Sequence, residues 1–137
     1  MQIGFKHSTK EWDQYITQVR EKFPEKVETL VSQTTTSLSR QVKASVPTKY
    51  SGIRSSIKSR VKPYIGKVRI KAHYAPYIEF GTGRFVQVPT ELKDYAMQFK
   101  GRGIREVNIE GSPYFYPQFF LARDKFFKQV EKALKQL

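Results

Sequence analysis

The sequence predicts an α+β fold in which an antiparallel β-sheet lies between two long helices in the chain. Three observations predict it. Apolar residues recur at helical spacing in the first third of the chain, alternate with basic residues in the middle, and return to helical spacing at the end. At 137 residues the chain has the length of one ordinary domain, so we expect residues 1–137 to form a single unit.

The first helix is predicted from apolar residues that step by threes and fours, which places them on one helical face. Ser8 with Glu11 three residues later is typical of a capping box at its start. Pro47 predicts its end, because a proline disfavours helix in the residue before it. Pro24 lies in the middle, where either the helix kinks or a second helix begins. The stripe consists of Trp12, Ile16, Val19, Phe23, Val27, Leu30, Leu38 and Val42, with Thr34 filling a gap.

Helix length and aromatic content both bear on contacts with other molecules. A straight helix over this segment would be about 55 Å long, which is longer than a compact domain of this size is wide. We therefore expect it to bend, or one end to project and be covered. Aromatic residues make up 14% of the chain, more ring surface than one small core needs, so some rings are expected to face a partner.

The middle of the chain predicts a β-hairpin with one apolar and one cationic face. Apolar and basic residues alternate from Ile57 to Ala72, and Gly66 is placed at the reversal. Two explanations of the cationic face stay open: its long side chains spread into water, or it meets an acidic protein or a phosphate backbone. Its basic residues are Lys58, Arg60, Lys62, Lys67, Arg69 and Lys71.

A short helix and a long loop are expected next. Pro76 is typical of a first helical turn, and Gly81 of a left-handed residue that closes a helix. The excursion over residues 84–105 is expected to be functional or disordered until it binds a partner. Part of this excursion is predicted to form a small helix, and residues 104–109 are a candidate for one more strand. One side of that small helix would carry Leu92, Tyr95, Ala96 and Phe99.

The chain is expected to end in a helix whose first turn contains Pro117. Apolar residues again recur at helical spacing, and lysines lie mainly off their stripe, several of them near the C-terminus where the helix dipole favours positive charge. The stripe is Phe119, Phe120, Arg123, Phe127, Val130, Leu134 and Leu137, and the lysines are Lys125, Lys128, Lys132 and Lys135.

Charge and cysteine content narrow the class of protein. Lys and Arg number 25 against 12 Asp and Glu, so the net charge is +13. Charge of this size has to be spread out or neutralised by nucleic acid, an anionic membrane or an acidic protein. The chain has no cysteine, which excludes disulfide scaffolds and thiol nucleophiles. No apolar run approaches ~18 residues, and the N-terminus lacks the apolar stretch of a secretory signal.

The sequence predicts a protein that is not an enzyme and needs no cofactor or metal. The two histidines, His7 and His73, have no carboxylate cluster nearby, and no Gly-x-Ser-x-Gly elbow is present. Glu79 lies in an aromatic, rather apolar setting. Its expected partner is an arginine of this chain or of a neighbouring copy, and an unusual acid is the alternative.

A non-specific DNA-binding protein is the alternative class. The cationic hairpin, the Lys-Gly-Arg-Gly segment at residues 100–103 and the lysines of the last helix can neutralise phosphates. Interleaved aromatic residues can stack on single strands. However, no helix-turn-helix, zinc finger or RNA-recognition motif is present, and the basic residues are dispersed over the chain.

Three segments resemble one family, and they follow in the same order. Residues 47–57 (Pro-Thr-Lys-Tyr-Ser-Gly-Ile-Arg-Ser-Ser-Ile) are similar to a signature of Pro, then Thr/Ser-Gly, then Leu-Arg-x-Ser-Ile. Residues 74–83 (Tyr-Ala-Pro-Tyr-Ile-Glu-Phe-Gly-Thr-Gly) resemble the family's most characteristic motif, and residues 115–119 (Phe-Tyr-Pro-Gln-Phe) resemble its Pro-Phe-x-x-Pro-Ala element. The family is the head–tail joining, or tail-completion, proteins of long-tailed bacteriophages. Ile53 stands where the family usually has Leu, Gln118 where it tends to have Ala, and residues 84–109 do not align.

The resemblance implies a structural protein of the virion neck, present in the host cytoplasm during assembly. It implies a homo-oligomeric ring of about six copies, with the head connector or adaptor and the tail terminator or tube proteins as partners. Genomic DNA in the lumen is a further contact, and no membrane is involved. Interface residues are expected to be Tyr74, Tyr77, Ile78, Glu79, Phe80, Phe85, Tyr95, Phe99 and Arg102. For Tyr74, Tyr77, Ile78 and Phe80, packing in the core of the same chain is the alternative to an interface role.

Overall fold

The computed structural model of the chain describes residues 9–82, 85–98 and 109–137. Its elements in chain order are helix α1 (Thr9–Ser45), a 3-10 turn (Thr48–Tyr50), helix α2 (Ser51–Ser56), strands β1 (Ile57–Lys62) and β2 (Ile65–Ile70), helix α3 (Ala75–Phe80), a second 3-10 turn (Thr90–Leu92), helix α4 (Lys93–Met97) and helix α5 (Tyr116–Lys135). The predicted α+β class, with a hairpin between helices, is confirmed.

Helix α1 is one element of 37 residues that runs through Pro24. Pro24 has no N–H, so the helix lacks one internal hydrogen bond there, but no second helix begins at this point. The helix ends at Ser45, two residues before Pro47, as predicted. The predicted cap, Ser8, lies outside the described residues.

Strands β1 and β2 pair antiparallel, and the chain reverses at Pro63 and Tyr64. Lys62 pairs with Ile65 across this two-residue loop, and Tyr64 has a positive φ of 63°. The predicted reversal at Gly66 is wrong, because Gly66 lies within β2 opposite Val61. A Cβ atom at Gly66 would overlap the Thr35 side chain of α1, so this glycine allows the strand to approach the helix closely.

The core lies where the C-terminal third of α1, the base of the hairpin and the start of α5 meet. Ile57 and Ile70 face each other at that base, whereas Tyr64 and Ile65 at the tip are exposed. The hairpin is therefore anchored at one end and open to solvent at the other. The buried core residues are Leu38, Val42, Val46, Ile53, Ile57, Ala75, Ile78 and Tyr114.

Helix α5 packs along α1. Ala122 contacts the core at the C-terminal third of α1, and Ala133, three turns later, is also buried. Helix α5 therefore runs back towards the N-terminus of α1. The predicted C-terminal helix is confirmed, and part of its apolar stripe faces outward, because Phe119, Phe127 and Leu134 remain 40%, 61% and 43% exposed. The small side chains of Ala122 and Ala133 let α5 approach α1 on a neighbouring face.

The segment after α3 is pinned at both ends. The Thr82 N–H donates to the Ile109 carbonyl at 2.8 Å, and the Ile109 N–H donates to Thr82 Oγ1 at 2.8 Å. The predicted small helix is present as α4, while Phe99, Arg102 and most of the candidate strand at residues 104–109 lie outside the described residues. Of the described helices, none is both long and apolar enough to cross a membrane.

Candidate functional site

Glu79 on α3 holds the beginning of α5. Its carboxylate accepts hydrogen bonds from the backbone N–H groups of Tyr114, Phe115 and Tyr116, at 2.9, 3.0 and 2.7 Å. These donors lie at the N-terminus of α5, where N–H groups lack helical acceptors and the helix dipole favours negative charge. The ion pairs among the described residues do not include Glu79; its oxygens accept from backbone donors there, and a salt bridge to an arginine of a neighbouring copy stays a prediction.

Burial sets the electrostatics of Glu79. The side chain is 5% exposed, and this burial raises the pKa of its carboxyl, while the three N–H bonds lower the pKa by a smaller amount. Tyr114 beside it is 1% exposed and donates its hydroxyl to the Ala75 carbonyl at 3.2 Å. Burial also raises the pKa of Tyr114, so its phenol stays protonated and keeps this hydrogen bond.

Gly81 ends α3 with a φ of 80° and a ψ of 178°. This positive φ was predicted, although the ψ places the residue in an extended conformation open to glycine alone rather than in the left-handed helical region. A Cβ there would lie 2.7 Å from the Phe85 carbonyl and 2.8 Å from the Gly111 nitrogen. The turn therefore brings the chain on both sides of the excursion against the end of α3.

Arg54 of the segment at residues 47–57 closes the other long helix. Its guanidinium donates to the carbonyls of Lys43 and Val46, at 3.1 and 3.0 Å, which satisfies acceptors left free at the C-terminus of α1. Ser56 of the same segment donates to the Ile53 carbonyl and accepts from the Ala72 N–H. Two of the segments that resemble the phage family thus hold helix ends and the hairpin base within one subunit.

The predicted interface residues divide between core and surface. Ile78, Glu79 and Phe80 are buried, which favours the core-packing alternative for Ile78 and Phe80. Tyr74 is half-buried and packs against the core. Three aromatic residues remain at the surface, with exposures of 36%, 38% and 51%: Tyr77, Phe85 and Tyr95.

The apolar stripe of α1 is buried at one end and exposed at the other. Leu30 and Val42 are 4% and 0% exposed. Trp12, Tyr15 and Ile16 are 52%, 43% and 41% exposed. We call these three residues the exposed end of α1. Helix α5 starts at the opposite end of α1 and is only 20 residues long, about 30 Å, so it is too short to run the full length of α1.

The hairpin carries the predicted cationic face. Its register sets Lys58 opposite Arg69 and Arg60 opposite Lys67, so these side chains share one side of the sheet. The opposite side holds Val68 and Gly66, which face the core and α1. All members of the cationic face are exposed: Lys58, Arg60, Lys62, Lys67, Arg69 and Lys71.

The ion pairs among the described residues do not include any member of this cationic face. They join Arg123 to Glu91 at 3.0 Å and to Asp124 at 3.4 Å, and Lys135 to Glu131 at 3.0 Å. The first of them links α5 to the excursion that follows α3. It is partly exposed, so its contribution to stability is small.

Among the described residues, no group of three or more His, Asp or Glu is placed to hold a metal ion. His73 is exposed and packs edge-on against Tyr74, with ring centroids 5.3 Å apart. Neither the family models nor the curated proteins nor the solved structures give a match to this chain.

Sequence reasoning missed two residues that matter for these surfaces. Tyr114 is the largest fully buried side chain, and Thr35 on α1 determines how closely the hairpin packs on the helix. The one available signal for Tyr114 was its position between Pro113 and Pro117, where the chain turns into α5. Nothing local to Thr35 indicates that a glycine lies opposite it.

Proposed function

We propose that this protein is a structural subunit of the bacteriophage neck, which joins the tail to the head connector as part of a ring and catalyses no reaction. The proposal combines the three segments that resemble the tail-completion proteins with one structural observation, the exposed end of α1. Its partners would be further copies of the chain and the rings of the head and tail.

The exposed end of α1 carries the proposal. A helix face that is apolar along its whole length normally packs along its whole length, because each buried large apolar side chain contributes about 1.5–3 kcal/mol. Here Trp12, Tyr15 and Ile16 continue the stripe of α1 with 41–52% of their surface exposed. Exposed apolar patches on a charged protein mark contact sites, and a neighbouring subunit is the natural cover in a ring.

The arrangement of surfaces also suits a ring. In a closed ring each subunit contacts its neighbours through two different surfaces. The exposed end of α1 is one such surface. The outer side of α5 is a second, with Phe127 61% exposed and Leu134 43% exposed. The residues of α3 that resemble the family motif support the subunit from inside, because Glu79 and Gly81 fix the ends of α5 and α3.

The test is whether the exposed end of α1 is required for assembly. Trp12→Ser combined with Ile16→Ser should change the unfolding curve little, because the two side chains are 52% and 41% exposed and lie outside the core cluster. The same variant should lose incorporation into phage particles, measured by quantitative mass spectrometry of purified virions in a complementation assay. A matched control is Gln14→Ala with Gln18→Ala, two exposed residues on the other side of the same helix.

The wild-type protein should be a stoichiometric component of mature virions, and virions made without it should lack attached tails. The proposal is wrong if the wild-type protein is missing from virions, or if the variant at Trp12 and Ile16 is incorporated as well as the control.

A further inference from the structure

We propose that the cationic face of the hairpin binds the phosphate backbone of duplex DNA without reading its sequence. The inference depends on the charges of the hairpin alone. It therefore stands or falls separately from the assignment to the phage neck, and it adds a ligand and a site to that assignment.

The spacing of the cations suits a row of phosphates. Side chains on one side of a strand recur about every 6.8 Å, and neighbouring strands lie about 4.8 Å apart. The cations from Lys58 to Lys62 on β1, with Lys67 and Arg69 opposite, therefore cover a strip about 14 Å long. Duplex DNA has one negative charge per about 1.7 Å of axis, so about 14 Å carries about eight phosphates, half of them on the nearer strand. The strip has enough cations for that strand.

The arrangement is unfavourable unless an anion covers it. Lys58 lies directly opposite Arg69, and Arg60 lies opposite Lys67, although like charges at facing positions destabilise a sheet. The ion pairs among the described residues involve none of these four side chains. A bound polyanion would remove this repulsion, and water with dissolved ions only screens it.

Nucleic acid fits this face better than an acidic protein does. Protein–protein interfaces have an apolar centre that is depleted of charged residues, whereas protein–DNA interfaces are more polar and much more positively charged. The cationic face has no aromatic or aliphatic centre. The one apolar side chain on the same side of the two strands is Ile65, which lies opposite Lys62 at the tip.

A duplex fits better than a single strand. Proteins that bind single strands place aromatic side chains among the cations so that bases stack on them. Between Lys58 and Lys62, and between Lys67 and Lys71, the same side of the sheet carries no ring. Tyr64 is exposed, but it lies in the loop at the end of the hairpin. The face therefore offers contacts to the backbone and none to unstacked bases.

The experiment measures the salt dependence of DNA binding by the full-length protein. Fluorescence anisotropy with a labelled duplex of arbitrary sequence should give a log–log slope of about −0.9 for each phosphate contacted, hence about −3.6 to −4.5 for four to five contacts in the wild type. The triple variant Arg60→Gln, Lys67→Gln and Arg69→Gln should make the slope shallower by about 2.7. All three side chains are exposed, so the variant is expected to fold.

A matched control separates the hairpin from net charge. The triple variant Lys125→Gln, Lys128→Gln and Lys132→Gln removes the same number of charges from exposed positions of α5. It should keep nearly the wild-type slope. Equal loss in both triple variants would show that binding is diffuse and would overturn the inference.

Two further probes test the class of ligand. A single-stranded oligonucleotide of the same length should bind more weakly than the duplex, and polyglutamate should not displace the duplex at equal charge concentration. Displacement by polyglutamate would point to an acidic protein partner and would overturn the inference. Duplex binding that depends on the hairpin, in a protein that is missing from virions, would reject the neck assignment and leave the inference in place.

Discussion

Replacement of Glu79 by alanine removes the acceptor for three backbone N–H groups at the start of α5. A buried donor without a partner costs about 1–3 kcal/mol. Tyr114 is fully buried, so its N–H takes the upper part of this range. Phe115 and Tyr116 are half-buried, so water reaches their N–H groups once the side chain is gone. The alanine variant no longer buries a carboxylate, and the desolvation cost that it avoids offsets part of the loss. The expected net decrease in the free energy of unfolding is about 3 kcal/mol.

Denaturant unfolding followed by far-ultraviolet circular dichroism measures this decrease, because α1 and α5 dominate the helical signal. A loss of about 3 kcal/mol is a large part of the 5–15 kcal/mol typical of a domain, and it should lower the melting temperature by about 10 °C. Glu110→Ala is the matched control, since Glu110 is an exposed carboxylate a few residues before α5. A loss below about 1 kcal/mol for Glu79→Ala, or an equal loss in the control, would refute the capping role of Glu79.

Three other outcomes follow from the same structure. Burial raises the pKa of the Glu79 carboxyl, so the folded state keeps the carboxyl proton to a higher pH than the unfolded chain does. The free energy of unfolding should therefore fall as the pH rises through the raised pKa. In a pH series of unfolding curves, Glu79→Ala should lack this part of the pH dependence. Gly66→Ala should lower the free energy of unfolding by about 1–3 kcal/mol, because the new Cβ atom overlaps the Thr35 side chain. Adding Thr35→Ala should restore part of that loss. Strict additivity of the two changes in a double-mutant cycle would contradict the contact. Arg60→Glu places a negative charge directly opposite Lys67. It should raise the free energy of unfolding by about 0.2–1 kcal/mol and weaken duplex binding. A less stable variant would argue against this strand register.

The parts of the fold that follow from local rules could be predicted from the sequence. The period of the apolar residues determined α1, and Pro47 determined its end, because both act within a few residues along the chain. The two faces of the hairpin followed from alternation in the same way. The reversal did not, because Gly66 resembles a turn residue in sequence while its actual role is to make room for Thr35, which lies 31 positions earlier.

The centre of the candidate site could not be predicted, because it depends on contacts between distant segments. A lone glutamate among apolar residues requires a hydrogen-bonding or charged partner. From sequence, the expected partner is a basic side chain. Glu79 instead uses backbone donors 35 to 37 positions away, and any residue except proline carries such a donor. The apolar stripe of α5 has a related limit: helical spacing shows that residues share a face and leaves open which of two apolar faces meets α1.

Two groups of residues lie in different parts of the molecule: those that hold helix ends, within segments that resemble the phage family, and those of the two surfaces that we propose as contact sites. Arg54 and Glu79 close the ends of α1 and α5, so these segments preserve the shape of the subunit. The exposed end of α1 and the cationic face of the hairpin lie outside them, and these are the two surfaces that we propose as contact sites. Their roles should therefore separate: a subunit neutralised at Arg60 and Lys67 should still assemble but bind duplex DNA weakly, and a subunit changed at Trp12 should bind duplex DNA normally and fail to assemble. Loss of both properties in either variant would mean that assembly and DNA binding use one common surface.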